Sequence, residues 1–104
     1  MRVNKIDIIQ YLHEIKADLS SNGIVKLGLF GSFSRGEAGV YSDIDIAIQK
    51  ESDYLKNRSA YDYFDEVSKI KELIRKKFHR NSDIFDLDSN SSMKEEILKD
   101  LIYV

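Results

Sequence analysis

Several residue types are missing from this chain, and their absence excludes whole classes of protein. None of the 104 residues is a cysteine, which excludes a disulfide framework and a thiolate zinc site. Proline is absent too, and no proline-rich linker, repeat or low-complexity tract marks a domain boundary. No apolar run approaches the roughly 20 residues that a membrane-spanning helix needs. We therefore expect a single domain over residues 1–104, with no membrane association.

An excess of charge of one sign is missing as well. The formal net charge is −2, so no global basic field would gather nucleic acid, which we do not expect as a direct ligand. Hydrophobic residues make up 42% of the chain, and no signal-peptide apolar block follows the first residues, which predicts a cytoplasmic globular protein. One cluster of basic residues is compatible both with the carboxyl end of a helix, where it complements the helix dipole, and with a nucleic-acid-binding surface. The cluster consists of Arg75, Lys76, Lys77 and Arg80.

Three segments carry apolar residues at helical spacing and begin with residues that cap helices. The first begins at Asn4, the second at Ser59, and the third at a Ser-x-x-Glu capping box that starts at Ser92. Each is amphipathic, so one face of each helix is expected to pack against the core. The apolar stripes are Ile8, Leu12, Ile15 and Leu19; Tyr63, Val67, Ile70, Ile74 and Phe78; and Ile97, Leu98, Leu101 and Ile102.

Three further segments have the pattern of strands. Residues 24–30 are apolar on both faces, which is typical of a covered central strand, and Gly28 within them indicates close approach of another backbone or a ligand. Residues 43–49 and 83–88 are the other two, and a short helix is expected over 32–37. Residues 50–58 read as a polar connection. The predicted fold is α/β (α+β), a small mixed sheet flanked by helices.

The chemistry of the chain is concentrated in residues 31–45. A Gly-Ser turn at Gly31 follows the first strand, and two carboxylates stand one residue apart in the next strand. Because side chains alternate along a strand, Asp43 and Asp45 share one face with Ala47. Two like charges on one half-buried face repel each other and are costly to desolvate unless a cation lies between them. This pattern indicates a site for a divalent metal.

The same stretch resembles a known family. Gly31-Ser32, ten residues, and Asp43-x-Asp45 resemble the signature of the polymerase-β-type nucleotidyltransferases, and Arg35-Gly36 with Ser42 extends the likeness to the minimal nucleotidyltransferases. Members of that group are often the antitoxin half of toxin–antitoxin pairs whose toxin is a HEPN-domain ribonuclease. The resemblance covers nearly the whole chain and implies the polymerase-β-like nucleotidyltransferase core.

The resemblance also implies a third acid on the strand after the long helix. Asp86, flanked by apolar residues, matches that position, and Asp88 on the same strand face is the alternative. Asp83 falls on the opposite face and is expected to face solvent. An EF-hand interpretation of this segment fails because serine occupies the sixth position, where glycine is required. The expected catalytic and metal-binding set, holding two Mg²⁺ ions, is Asp43, Asp45 and Asp86.

Four residues are expected to bind the nucleotide. By resemblance, Gly31 and Ser32 anchor the β- and γ-phosphates of ATP. Arg35 either supports a phosphate or braces Glu37 or an aspartate. Ser42 belongs to the same motif, although we expect its hydroxyl to bond the backbone where the strand begins rather than the substrate.

The implied reaction is transfer of AMP from ATP to a hydroxyl with loss of pyrophosphate. The expected acceptor is a tyrosine of a cognate HEPN toxin, which the transfer would silence, and the chain would form a hetero-oligomer with that toxin or a homodimer. Two alternatives stay open. One is a small-molecule acceptor such as an aminoglycoside bound at a dimer interface, and the other is an antitoxin that neutralises its partner by binding alone.

Overall fold

The computed structural model describes residues 3–104, in which strands and helices succeed one another along the chain. Both long helices and all three expected strands are present. The helices are α1 (Lys5–Ser21), α2 (Gly31–Arg35), α3 (Tyr54–Asn57), α4 (Ala60–Phe78) and α5 (Lys94–Asp100), and the strands are β1 (Ile24–Phe30), β2 (Ile44–Lys50), β3 (Ser82–Asp86) and β4 (Ile102–Tyr103).

The four strands form a mixed sheet in the order β3-β2-β1-β4. β1 is antiparallel to both of its neighbours, whereas β2 and β3 are parallel. A parallel pair needs a long crossover, and α3 with α4 supplies it. The predicted mixed sheet flanked by helices is confirmed.

The predicted caps of the two long helices are also confirmed. The Asn4 side chain accepts a hydrogen bond from the Asp7 amide at 2.9 Å, so one free N–H group of the first turn of α1 is satisfied. Ser59 and Asp62 form a reciprocal capping box at the start of α4, with distances of 3.2 and 2.8 Å. Each cap contributes roughly 1 kcal/mol.

One face of the sheet is buried under α1 and α4. Ile44, Ile46 and Ile48 project from β2 into this core and are fully buried, as their predicted common face requires. Burial of each such side chain contributes about 1.5–3 kcal/mol, so the alternation of β2 is strongly specified. The opposite face of β2 therefore presents the remaining side chains, among them Asp45.

The carboxyl end of the chain differs from the prediction. Its last helix ends at Asp100, and Ile102 pairs with Leu29 as part of β4 instead of continuing the helix. Ser92 forms no capping box, because α5 begins only at Lys94 with Met93 as its N-cap. Pairing with β4 satisfies backbone groups along the edge of β1, which a longer helix would leave uncovered.

Gly28 explains why this edge accepts a strand so closely. A β-carbon at this position would lie 2.6 Å from Cδ1 of Leu101 and 2.8 Å from the carbonyl oxygen of Ile102. The predicted close approach of another backbone is confirmed.

Two other boundaries differ from the sequence interpretation. Residues 50–58 include the short helix α3, whose Tyr54 is fully buried, so this connection is not simply polar. The third strand ends at Asp86 because residues 87–89 form a turn. Within residues 3–104, no helix combines the length and the apolar character needed to cross a membrane.

Candidate active site

The turn between β1 and α2 is shaped by Gly31. Its φ of 76° lies in the left-handed region that glycine adopts without strain. A β-carbon there would overlap Oδ2 of Asp45 and lie 2.8 Å from its Cγ. Glycine is therefore required twice, by the backbone conformation and by the carboxylate packed against it. The helix begins at Gly31, so Ser32 lies inside its first turn and does not cap it.

Asp45 lies on the open face of the sheet, and Asp43 directly precedes its strand. Asp43 is exposed and immediately precedes β2, whereas Asp45 is half-buried within the strand opposite Phe30. The Ile44 amide between them donates to the Asn81 carbonyl at 3.0 Å. This bond ties the start of β2 to the segment that leads into β3, and so fixes both carboxylates relative to that segment.

Asp83 is the carboxylate that the fold brings to this pair. In the parallel ladder Asp45 is the register partner of Asp83, so both side chains point to the open face. Burial raises the pKa of Asp45, and the negative charges of Asp83 and Asp43 raise it further, while Arg35 counteracts them in part. Negative charge therefore outweighs positive charge around Asp45.

Asp86 is not part of this group. Its register partner is Ile48, so its side chain lies on the helix-covered face, where Lys50 contacts it at 2.6 Å. Lys50 also contacts Asp88 at 3.1 Å and lies 4.4 Å from the centre of the Tyr63 ring. The expected grouping of Asp86 with Asp43 and Asp45 is not found.

Lys50, Asp86, Asp88 and Tyr63 form a second polar cluster, and their contacts with one another shift the pKa values of its members. Burial raises the pKa of Tyr63, and the negative charge of the adjacent Asp86 carboxylate raises it further. Burial alone would raise the pKa of Asp88, but hydrogen bonds from the backbone and side chain of Lys50 lower it below its usual value. Asp86 and Asp88 thus share the one positive charge of Lys50 beside α4.

Arg35 has acidic partners in the structure. Its guanidinium group donates to Asp100 at 2.8 Å and to Glu37 at 3.1 Å. The Ser34 hydroxyl donates to the Asp100 carbonyl, so α2 and α5 are joined at two points. The bracing role predicted as one of two options for Arg35 is present, while the charge of the guanidinium still acts on Asp45.

Ser42 bonds the backbone, as expected. Its hydroxyl accepts from the Gly39 amide at 2.8 Å and closes the turn before Asp43. Arg80 donates to the carbonyls of Ser42 and Gly39 at 2.8 and 3.1 Å. The role of Arg80 was missed in the sequence, where it appears only as one of several basic residues. No local pattern links it to a turn 38 residues away.

The residues present fit a hard divalent cation. Asp43, Asp45 and Asp83 offer only carboxylate oxygens, the donors that Mg²⁺ prefers, and their mutual repulsion favours a cation among them. Gly31 leaves the space that the Asp45 carboxylate occupies. In the part of the chain that the structure describes, no three acidic, histidine or cysteine side chains already converge to metal-binding distance.

Comparison with protein families identifies the chain. The family described as "Polymerase beta, Nucleotidyltransferase" matches residues 13–104. The chain belongs to this family. It is a nucleotidyltransferase, and the resemblance read from residues 31–45 is confirmed.

One relative by sequence and two solved structures are similar to this nucleotidyltransferase. A protein of Methanocaldococcus jannaschii, provisionally named a protein adenylyltransferase, is 39% identical over 74 residues, which cover 67% of this chain and 86% of the relative. A structure described provisionally as a minimal nucleotidyltransferase has a TM-score of 0.72 at 20% identity, covering 97% of this chain and 96% of that one. A toxin–antitoxin structure with AMP-PNP has a TM-score of 0.60 at 23% identity, covering 97% and 72%. At these identities the two structures show a shared fold.

Proposed function

We propose that this nucleotidyltransferase uses Mg²⁺ and ATP to adenylylate a tyrosine hydroxyl of a HEPN-domain ribonuclease toxin, and so acts as its antitoxin. The observation that carries the proposal is the parallel register that sets Asp83 beside Asp45, next to Asp43 and the Gly31 turn. The relative named as a protein adenylyltransferase and the related toxin–antitoxin fold support the acceptor and the setting.

In this proposal Asp43, Asp45 and Asp83 hold the two Mg²⁺ ions, and Asp83 takes the place predicted for Asp86. Asp83 shares a face with Asp45, whereas Asp86 is bound to Lys50 on the other face. When bound, two such ions would neutralise the triphosphate and favour in-line displacement. The carboxylates contribute positioning, because the register and the Ile44–Asn81 hydrogen bond hold them in place.

The nucleotide phosphates would lie against the Gly31 turn. The amides of Gly31 and Ser32 belong to the first turn of α2, where N–H groups lack partners within the helix. Arg35 stands in the last turn of the same helix and would support a phosphate with the donors that Asp100 and Glu37 leave free. Ser42 contributes by holding the turn that aims Asp43.

The transfer itself exchanges one phosphorus–oxygen bond for another. The acceptor hydroxyl oxygen forms a bond to the α-phosphorus of ATP, and the bond from that phosphorus to the bridging oxygen of pyrophosphate breaks. The hydroxyl proton passes to Asp43 or Asp83, the two exposed carboxylates of the set. Pyrophosphate leaves, and the acceptor carries AMP as a phosphodiester.

A labelling experiment tests the proposal. The chain, Mg²⁺ and ATP labelled at the α-phosphorus are incubated with a cognate HEPN toxin, and label transfer, pyrophosphate release and ribonuclease activity are measured. We expect label on one toxin tyrosine, release of an equal amount of pyrophosphate and loss of ribonuclease activity. Excess EDTA, or the variant Asp45→Asn, should abolish all three.

Two results would redirect the assignment. Neutralisation of the toxin by Asp45→Asn without label transfer would indicate an antitoxin that acts by binding alone. Label found on an aminoglycoside, with none on the toxin, would indicate the small-molecule acceptor.

A further inference from the structure

A basic groove leads from the end of α4 to Asp43. One open cavity of about 490 Å³ is lined by the last turns of α4 and the residues that follow it. A second, of about 180 Å³, reaches Tyr41 and Asp43. The two cavities share His79, Arg80 and Asn81, so they form one continuous depression. We call it the basic groove, lined at its far end by Glu72, Arg75 and Lys76.

The charges of the basic groove have few partners within the chain. Within residues 3–104, neither Arg75 nor His79 has a carboxylate oxygen within 4 Å, and Lys76 reaches Glu72 only at 3.9 Å on the exposed helix surface. Such an exposed pair is weak. The helix dipole explains why basic residues suit this end of α4. It does not explain why their groove opens onto Asp43.

The end of the groove nearest the carboxylates has a different character. Tyr41 is 96% exposed and Val40 is 77% exposed, so two large apolar side chains project from the turn before Asp43. The turn is held by Arg80, whose guanidinium lies 5.5 Å from the centre of the Phe33 ring. This surface is therefore basic at one end and apolar, beside Asp43, at the other.

We infer that the basic groove docks an acidic polypeptide segment whose neighbouring tyrosine enters the carboxylate site. This inference rests on the proposed function and specifies the acceptor it requires. Acidic side chains complement Arg75, Lys76 and Arg80, while an uncharged tyrosine approaches the carboxylates without repulsion and meets Val40 and Tyr41. A nucleic acid matches less well, because its phosphates continue up to the carboxylates and the net charge of the chain is −2.

Three synthetic peptides test the acceptor preference. Each carries one central tyrosine, flanked on one side by four glutamates, four glutamines or four lysines, and kcat/KM for adenylylation is measured with the full chain, Mg²⁺ and ATP. At about 0.05 M salt we expect the glutamate peptide to exceed the glutamine peptide roughly tenfold, mainly through a lower KM. At about 0.5 M salt the difference should shrink, because screening shortens the range of the attraction.

Charge-reversal variants locate the effect in the groove. Arg75→Glu with Lys76→Glu should remove the advantage of the glutamate peptide and leave the glutamine peptide unchanged. Lys16→Glu with Lys56→Glu makes the same charge change at two exposed positions outside the groove and should keep the preference. Binding of a peptide with phenylalanine in place of tyrosine, followed by fluorescence anisotropy, reports docking without any transfer.

The outcomes separate the two proposals. Selective binding of the glutamate-flanked phenylalanine peptide, without transfer to any tyrosine peptide or to the toxin, would support the groove and refute the adenylyltransferase proposal. Equal rates and equal binding for all three peptides would overturn the groove, and so would equal losses in both double variants. Labelling of an RNA oligonucleotide in preference to every peptide would also overturn it and assign the groove to nucleic acid.

Discussion

Asp45 and Asp83 are register partners in the parallel pair β2–β3, so their carboxylates share the open face of the sheet. Asp86, three residues further along β3, falls on the other face and contacts Lys50. An odd separation along a strand places two side chains on opposite faces. The register thus determines which acid can act with Asp45, and it separates a candidate catalytic carboxylate from a structural one.

The first prediction contrasts these two acids. Asp83→Asn should lower the rate of adenylyl transfer by a hundredfold or more, because loss of one charged ligand weakens cation binding. The bound cations would contribute several kcal/mol to stabilising the charge of the transition state. Its thermal stability should be unchanged or slightly higher, since it relieves repulsion with Asp45. Transfer rates are measured at saturating ATP and Mg²⁺, and Mn²⁺ affinity is followed separately by paramagnetic resonance.

Asp86→Asn serves as the matched variant. It should keep the transfer rate and the Mn²⁺ affinity within about threefold, and lose roughly 1 kcal/mol of stability with the Lys50 ion pair. If instead Asp86→Asn lost activity and Asp83→Asn kept it, the assignment of Asp83 would be wrong.

The second prediction concerns the pH dependence of stability. The pKa of Asp45 is raised in the folded state, chiefly by burial, so the native protein binds its proton more tightly than the unfolded chain. Ionisation of Asp45 therefore destabilises the fold as pH rises through the native pKa, and has no effect below the unfolded value of about 3.8. Asp45→Asn should be as stable as the parent protein at pH 7, or up to about 1 kcal/mol more stable.

Asp88 should behave in the opposite way. Its pKa is lowered by the hydrogen bonds from Lys50, so its contribution is present above about pH 3.8 and is lost as pH falls through the native pKa. Asp88→Asn should cost about 1 kcal/mol at pH 7, discounted for its exposure. Urea unfolding at pH 7 and near pH 3 measures both variants. Stability differences that do not shrink at the lower pH would show that charge is not their cause.

The third prediction uses three glycines as a graded series. Gly31→Ala combines a left-handed φ with overlap on the Asp45 carboxylate, and should cost more than 2 kcal/mol and most of the activity. Gly36→Ala has a φ of 73° but open space, so strain alone should cost about 1 kcal/mol. Gly39→Ala has neither and should change stability by less than about 0.5 kcal/mol.

Thermal unfolding and transfer rate are measured for each member of the series. Equal stability of Gly31→Ala and Gly36→Ala would show that the Asp45 side chain moves aside at little cost. Retained activity in Gly31→Ala would further show that its position against the turn is not required.

Local features of the chain could be predicted because their physical causes are local. The caps at Asn4 and Ser59 satisfy helix N–H groups from three residues away, and β2 alternates because apolar residues at every second position must face the core. The Gly31 turn and the placement of Asp45 on the face opposite Ile44 and Ile46 follow from the same short-range rules.

Only the tertiary structure decided which third carboxylate lies beside Asp45 and which conformation residues 101–104 adopt. Alternation shows that Asp86 and Asp88 share a face, but not which face of the sheet that is, or which residue of β2 lies beside them. Those are set by the hydrogen bonds between β2 and β3 and by the packing of α4 across the same sheet face. Likewise Ile102 pairs with Leu29 because the edge of β1 is available for a further strand. The two residues are 73 positions apart, so no local sequence pattern predicts their pairing.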